Sequence, residues 1–344
     1  MMKKGLIFFL VAGLIAAYFG YSKYMDIFAP NVVDKLEDPY VYIPGNASYE
    51  DVLQELLSKK MLIDTASFNW VAGQMNYKKP VMRSGRFEIQ PGWTNRQLVT
   101  HLRGGKQAPV KVILNNERTL GQIAEVASRF IEPDSQDLIN LFYDDSYIGK
   151  FGYNQQTLTS LFIPNTYEFF WNQDSEQFFE RMVKENAKFW QKNDREAQAK
   201  KMGMSKNEVY TLASIVERET NKNDEKRRIA GVYINRIKRG MLLQADPTVV
   251  FANQDFTIRR VLNKHLRFDS PYNTYMYQGL PPGPIGMASI ASIDAVLNAE
   301  NHGFIFFCAK PDLSGYHAFA KTLKGHNANA NRYRKWISSR GIRK

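Results

Sequence analysis

Apolar side chains recur at helical spacing near the middle of the chain and predict an amphipathic helix there. Ser205 is followed three residues later by Glu208, a reciprocal arrangement that satisfies free backbone N–H groups at a helix N-terminus. Because successive helical side chains turn by about 100°, Leu212, Val216 and Glu219 share one face. The predicted helix therefore carries a glutamate at the end of its apolar stripe.

The position of Glu219 on this stripe bears on its chemistry, whereas Glu217 points toward the polar side. Desolvation on an apolar face disfavours the charged form of a carboxyl group and raises its pKa. A glutamic acid that is still protonated near neutral pH is what general acid catalysis requires. Glutamates close to a helix end are more commonly exposed to solvent, so the helix alone leaves an ordinary surface glutamate as the alternative.

A second helix is predicted to run from Asn223 to Arg239, with Gly240 as its stop. It is followed by a polar cluster, residues 244–248, which lies between apolar residues.

An uncharged apolar run from Gly5 to Tyr21 is just long enough to cross a bilayer. Two lysines precede the run, and four acidic residues follow it, at Asp26, Asp34, Glu37 and Asp38. By the positive-inside rule the N-terminus is expected in the cytoplasm and everything after Tyr24 outside. A cleaved signal peptide is the rival interpretation, but Ala16 and Ala17 lie inside the run and no small-residue cleavage site follows it.

Residues 40–130 contain a weak internal repeat of a short strand, a turn and an N-capped helix. The predicted helix caps of the three units are Ser48, Thr94 and Thr119. Small units of this kind resemble a LysM-like module, whose family binds the N-acetylglucosamine-containing backbone of peptidoglycan. A structural α+β spacer is an equally good interpretation of this stretch.

Composition excludes several kinds of site in this chain of 344 residues. Its one cysteine, Cys308, rules out an internal disulfide framework and a cysteine-based zinc site, and the five histidines show no metal-ligand spacing. The net charge of +12 suits anionic lipid headgroups or an acidic polymer. Nucleic acid is the usual alternative for a basic chain, but an outward-facing membrane anchor argues against it.

Five blocks of the sequence resemble the signatures of the MltG-type (YceG-like) endolytic murein transglycosylases. In chain order they are Ser214–Thr220, Val232–Arg236, Leu243–Val249, Tyr272–Tyr275 and Gly279–Ile285. Any one block would be weak evidence, but five in the same order over roughly a hundred residues are specific. In that family the second glutamate of the Glu-x-Glu pair is catalytic, and the matching residue here is Glu219. One block departs from the family: its usual Glu-Gly and Pro-Asp pairs read Thr159-Ser160 and Pro164-Asn165.

The resemblance implies an α+β protein with an N-terminal transmembrane helix, a small LysM-like α/β subdomain and a larger mixed α+β catalytic domain. The expected boundaries are a cytoplasmic end at 1–4, a transmembrane helix at 5–22, a linker at 23–39, the LysM-like subdomain at 40–106, a connecting α/β region of the catalytic part at 107–204, and a catalytic core at 205–344.

The implied function is that of an endolytic lytic transglycosylase anchored in the cell inner membrane, with its catalytic part in the periplasm. It would cleave the MurNAc–GlcNAc bond within strands, leave 1,6-anhydroMurNAc ends and limit nascent strand length. The expected partners are peptidoglycan strands, the inner membrane and peptidoglycan synthases of the penicillin-binding type, with no nucleic acid, cofactor or metal. The expected supporting or substrate-binding residues are Glu217, Asn235, Arg236, Gln244, Asp246, Thr248, Tyr272, Asn273, Thr274, Tyr275 and His317.

Two other functions stay open at this point. A muramidase would use water, with Glu219 and Asp246 as its pair of carboxylates. A non-catalytic glycan-binding scaffold is the third possibility, although the intact Glu-x-Glu block speaks against it. A lytic transglycosylase needs only one carboxyl group, because the 6-hydroxyl of the sugar itself attacks the anomeric carbon.

Overall fold

The apolar N-terminal run forms one helix, α1 (Met2–Phe28), in a computed structural model that describes residues 2–340 and the side chains of residues 5–340. Its segment Gly5–Phe28 is long and apolar enough to cross a membrane, with 24 residues, a mean hydropathy of 1.9 and no burial inside the protein. The predicted cytoplasmic end, residues 1–4, lies outside the residues whose side chains are described, as do residues 341–344.

Helix α1 continues past the predicted end of the membrane span at residue 22. The amide of Asn95 donates to the carbonyl of Asp26 at 2.8 Å, and the ammonium of Lys23 lies 4.3 Å from the centre of the Trp70 ring. Short β-bridges then join Pro30 to Thr94 and Val32 to Leu62. Residues 23–28 are therefore helical, and part of the predicted linker 23–39 is held by these contacts.

The internal contacts of the chain divide it into two units. Unit 1 comprises residues 1–111, 130–133 and 168–174, and unit 2 comprises residues 112–129, 134–167 and 175–344. Three short segments of the region 107–204, namely residues 107–111, 130–133 and 168–174, have their contacts within unit 1, and the rest of that region belongs to unit 2.

Unit 1 is built on a two-stranded antiparallel sheet. Its elements are β1 (Tyr40–Ile43), α2 (Tyr49–Ser58), α3 (Thr65–Gln74), β2 (Gly85–Glu88) and α4 (Asn95–Gly104). Val41 pairs with Phe87 in the sheet, and both side chains are fully buried. Ser48 and Thr94 cap α2 and α4 with reciprocal capping boxes, as the repeat predicts. The LysM-like character of this unit stays a prediction.

The remaining elements follow in chain order. They are β3 (Val110–Leu114), α5 (Leu120–Ser128), α6 (Ser135–Phe142), α7 (Asp145–Gly149), β4 (Asn165–Phe169), α8 (Ser175–Gln191), α9 (Arg195–Lys201), α10 (Lys206–Glu219), α11 (Asn223–Lys238), α12 (Asp246–Ala252), α13 (Asn263–Leu266), α14 (Ile290–Leu297), β5 (Phe306–Ala309), β6 (His317–Ala320) and α15 (Leu323–Ser339). Strand β3 pairs with β4, and β5 pairs with β6 in an antiparallel sheet. Helices with small two-stranded sheets confirm the predicted α+β class.

Helix α10 is the centre of the unit 2 core. Ser205 and Glu208 form the predicted capping box at its start, and its residues from Val209 to Val216 are buried. It packs against α11 and α14. Since the core surrounds most of α10, the position of its last residue, Glu219, is fixed by the fold.

Candidate active site

Glu219 ends α10, and its carboxyl group meets α11. The hydroxyl of Tyr233 donates to its Oε1 at 2.5 Å, and the Tyr233 side chain is almost wholly buried. Burial raises the pKa of Glu219 to about 7, with a smaller contribution from the charge of Asp246. The Tyr233 hydrogen bond and the Arg236 charge act in the opposite direction. With a pKa of about 7, Glu219 can exist both as the acid and as the carboxylate near neutral pH.

Glu217 is placed in a different environment, two residues earlier on the same helix. Its Oε2 accepts from the Lys226 ammonium at 3.0 Å, from the Ser292 hydroxyl at 2.5 Å and from the Ser289 hydroxyl. Burial acts to raise the pKa of Glu217, but these hydrogen bonds bring it below its ordinary value. Glu217 is therefore ionised at neutral pH and forms an internal ion pair with Lys226, whereas the pKa of Glu219 is raised.

Asp246 opens α12 and is exposed. Its Oδ1 accepts from the Tyr275 hydroxyl at 2.6 Å. The backbone N–H of Tyr275 in turn donates to Oδ1 of Asn273 at 3.1 Å. The amide of Asn273 also donates to the carbonyls of Leu266 and Phe268. The Tyr272–Tyr275 block therefore orients Asp246 through Tyr275.

The block around residue 244 is joined to the same turn by buried hydroxyl groups. Gln244 has a positive φ of 50°, and its N–H donates to the carbonyl of Thr274 at 3.0 Å. The hydroxyls of Thr248 and Thr274 lie 2.8 Å apart, and the N–H of Ala245 donates to Thr274 Oγ1 at 3.0 Å. Both threonines are fully buried, so their polar groups hold the backbone that presents Asp246.

Asn235 and Arg236 lie on α11, and their side chains bind backbone carbonyl groups of other segments. The amide of Asn235 donates to the carbonyl of His302 at 2.7 Å and to that of Phe304 at 3.0 Å. The guanidinium of Arg236 donates to the carbonyls of Ile305 and Leu243, each at 2.7 Å. These contacts fix the segments before α12 and before β5, and they bring the Arg236 charge near Glu219.

Two further predicted residues, His317 and Tyr272, contact groups other than Glu219. The Nδ1 atom of His317 is 2.7 Å from Oε2 of Glu225, and the His317 N–H donates to Oε1 at 2.9 Å. Tyr272 packs its ring 4.8 Å from the ring of Phe251, against the core.

A cavity of about 500 Å³ opens beside Glu219. Of the predicted site residues, it brings together Glu219 and Asp246, and the other predicted residues do not line it. Its apolar lining comprises Pro247, Val250, Phe251, Phe256, Ile258, Val261 and Ile285. A carboxyl group with a pKa of about 7 beside an exposed carboxylate can donate a proton and take it back within such a cavity.

Four arginines line the same cavity, and none of them is among the site residues predicted from the sequence. They are Arg118, Arg218, Arg259 and Arg260, and we call them the arginine wall. Two features of the sequence could have indicated them. Arg218 stands between the two glutamates, and Arg259 and Arg260 are adjacent. Nothing local connects them with Arg118, which precedes α5.

The sequence profile of the YceG-like family matches residues 41–332 of the chain. The chain belongs to the YceG-like family. The match spans both units and the cavity, and it confirms the resemblance found in the five sequence blocks.

Relatives of this YceG-like chain include proteins of Bacillus subtilis and Streptococcus pneumoniae. It is 27% identical over 340 residues to a protein of Bacillus subtilis named endolytic murein transglycosylase, across 93% of this chain and 91% of that one. A protein of the same name from Streptococcus pneumoniae is 24% identical over 343 residues; the match covers 91% of this chain and 61% of that longer one.

A solved structure shares the fold. The crystal structure of a YceG-like protein of Listeria monocytogenes superimposes with a TM-score of 0.55 at 28% identity, and covers 84% of this chain and 97% of that one.

The positions at which the resemblance leads us to expect acidic residues, Thr159-Ser160 and Asn165, do not line the cavity. Thr159 and Ser160 are buried, and the Ser160 hydroxyl donates to Oδ1 of Asn207 at 2.6 Å, near the start of α10. Asn165 is exposed at the start of β4. The cavity around Glu219 is therefore formed without a side chain from these positions.

The residues that the structure describes contain no metal-binding cluster. No group of three or more His, Cys, Asp or Glu side chains within them could hold a metal ion.

Proposed function

We propose that this chain is an endolytic lytic transglycosylase that cuts the MurNAc–GlcNAc bond within murein strands and leaves 1,6-anhydroMurNAc ends. The observation that carries the proposal is the Glu219 carboxyl group, which lines the cavity and has a pKa of about 7. The names of the Bacillus and Streptococcus relatives support the same reaction and the same polymer.

The mechanism needs Glu219 in two protonation states. Protonated Glu219 gives its proton to the glycosidic oxygen, and the bond from that oxygen to the muramyl C1 breaks. The resulting carboxylate then takes the proton of the muramyl 6-hydroxyl, whose oxygen forms a new bond to C1. The proton returns to Glu219, no water is consumed, and the enzyme is ready for another cycle. The attached hydroxyl has an entropic advantage over water because it belongs to the reacting ring.

Neighbouring groups stabilise the two states of this cycle. The Tyr233 hydroxyl and the Arg236 guanidinium favour the carboxylate, whereas burial favours the acid. Asp246, oriented by Tyr275 at 2.6 Å, places negative charge at the cavity where the positive charge of an oxocarbenium-like C1 develops. Limiting the length of nascent strands is the cellular role that fits cuts within a strand.

A muramidase is the second candidate, because Asp246 and Glu219 line the same cavity. In that reaction Asp246 would assist an attacking water. The masses of the products separate the two functions, since anhydro ends are one water lighter than hydrolysed ends.

We further propose that α1 anchors the chain in the inner membrane with the catalytic part in the periplasm, where it can meet peptidoglycan synthases. Protease added to intact spheroplasts is expected to degrade the part after residue 28, because that part would face outward. Full protection of this part, or mature protein that starts beyond residue 20, would contradict the anchor or its orientation.

Tyr233→Phe is expected to move the alkaline decline of kcat/KM upward by about one pH unit. The Tyr233 hydroxyl stabilises the ionised form of Glu219, so its loss raises the pKa of Glu219 and keeps the acid form to higher pH. The measurement is a pH profile of strand cleavage. Tyr277→Phe is the matched control, since its hydroxyl binds Asp269 outside the cavity. An alkaline limb that does not move, or moves downward, would show that Glu219 does not set this limb.

A further inference from the structure

The cavity beside Glu219 holds more cations than carboxylates. The arginine wall contributes four guanidinium groups, whereas the carboxyl groups of the lining are those of Asp246 and Glu219. The four guanidinium charges outnumber these two carboxyl groups even when both carboxyl groups are ionised. The cavity therefore carries net positive charge at the pH where the enzyme would work.

The arginines come from three separate segments of unit 2. Arg118 precedes α5, Arg218 lies in α10, and Arg259 and Arg260 lie in the loop between α12 and α13. Arg218 donates to the carbonyl of Asn116 at 2.8 Å, and the Arg118 guanidinium lies 5.0 Å from the centre of the Phe256 ring. Both side chains are partly buried, so the fold itself brings their charges together.

The grouping of like charges in the arginine wall is electrostatically unfavourable. Burial, together with the nearby charge of Arg118, lowers the pKa of Arg218, although the charges of Glu217 and Glu117 act in the opposite direction. Among residues 5–340, no carboxylate lies within ion-pair distance of Arg118, Arg218 or Arg259. The charges of Arg118, Arg218 and Arg259 thus lie near one another without a carboxylate at ion-pair distance, which favours a ligand that brings negative charge.

The chemistry of the murein strand shows which of its groups can supply this negative charge. The sugar rings of murein are neutral, and its anionic groups are carboxylates carried by the muramyl residue, either at the lactyl ether or along the attached peptide stem. A guanidinium matches a carboxylate with two parallel N–H···O hydrogen bonds. A neutral sugar ring alone gives an arginine no comparable partner.

We infer that the arginine wall binds a carboxylate of the muramyl residue next to the scissile bond and so selects negatively charged strands. The inference rests on the proposed function and adds which chemical group of the substrate fixes the position of the strand in the cavity. Arg118 and Arg218 lie deeper and set the position of the bound carboxylate. Arg259 and Arg260 are exposed and attract the strand over a distance limited by salt screening, about 8 Å at physiological ionic strength.

Three preparations of the same strands test the inference with the full-length protein. The first keeps its native peptide stems, the second has its carboxyl groups capped as neutral amides, and the third has its stems removed to leave the free lactyl carboxylate. Capping is expected to reduce kcat/KM about tenfold, mainly through KM, because the lost contact is a binding contact. If strands without stems are cut like native strands, the arginine wall accepts a carboxylate at either position; if they are cut like capped strands, a stem carboxylate is the bound group.

Arginine variants show whether the wall is responsible for this preference. Arg259→Gln, whose side chain is exposed, and Arg118→Gln are each expected to raise KM on native strands and to leave KM on capped strands unchanged. Arg267→Gln is the control, since this exposed arginine lies outside the cavity and its loss should affect neither substrate.

Two results would overturn the inference: equal kcat/KM for native and capped strands with the unaltered protein, or an Arg259→Gln defect of the same size on both substrates. Failure of the proposed function would look different, because no preparation would then give anhydro ends.

Discussion

Glu219→Gln is expected to slow strand cleavage by about 10²–10⁴-fold, the usual cost of removing a general acid. The amide has the shape of the acid and can still accept the Tyr233 hydrogen bond, which is 2.5 Å long in the unaltered protein. It can neither give a proton to the glycosidic oxygen nor take one from the 6-hydroxyl. The rate of release of anhydro ends, measured on purified protein, gives the size of the effect.

Thermal unfolding of the same variant shows whether its loss of activity comes from the missing carboxyl group or from a loss of folded structure. The pKa of folded Glu219, about 7, lies above its ordinary value of 4.5. The stabilising effect of its protonation is fully present below the unfolded-state pKa and is lost as the pH rises through the folded-state pKa. The glutamine stays neutral, so Glu219→Gln should be at least as stable as the unaltered protein at pH 8.

The control for catalysis is Glu180→Gln, which alters an exposed glutamate of α8 and should leave the rate unchanged. A Glu219→Gln protein that is folded and cleaves strands near the normal rate would exclude Glu219 as the acid.

Glu217→Gln is expected to have its main effect on stability, with a loss of about 3–5 kcal/mol. The variant leaves the ammonium of Lys226, a residue that is only 3% exposed, without the carboxylate that binds it at 3.0 Å. A buried charge without its partner is costly because water no longer solvates it. Urea unfolding measures the change in the free energy of unfolding.

A second substitution provides the control for Glu217. In Glu217→Gln combined with Lys226→Met neither side chain of this pair carries a charge, so the double variant should recover part of the lost stability. An unfolding free energy equal to that of the unaltered protein for Glu217→Gln alone would show that the ion pair contributes nothing. Cleavage by Glu217→Gln should fall less than cleavage by Glu219→Gln, since Glu217 does not line the cavity.

The parts of the fold that the sequence predicts well depend on local signals. The Ser205–Glu208 capping box and the spacing of apolar residues place α10 correctly because both act within one or two helical turns. Helix α3 was not predicted, although Asp64 caps it. Its segment, Thr65–Gln74, includes a glycine and shows no clear apolar stripe.

The parts of the site that were not predicted depend on contacts between distant segments. The sequence can identify Asn235 and Thr248 as polar members of a family block, but it does not show whether they bind substrate or backbone. The structure has both side chains bonded to backbone carbonyls. The arginine wall forms only when Arg118 and the loop after α12 meet at the end of α10.

The mass of the fragments released from purified murein strands tests the central claim most directly. A reaction in which the 6-hydroxyl attacks C1 predicts fragments that end in 1,6-anhydroMurNAc, one water lighter than hydrolysis products, with cuts inside the strand. Asp246→Asn should give the same anhydro fragments at a lower rate, because Asp246 stabilises charge and does not activate water. Fragments that carry reducing, hydrated ends would contradict the transglycosylase account and make Asp246 a catalytic partner of Glu219.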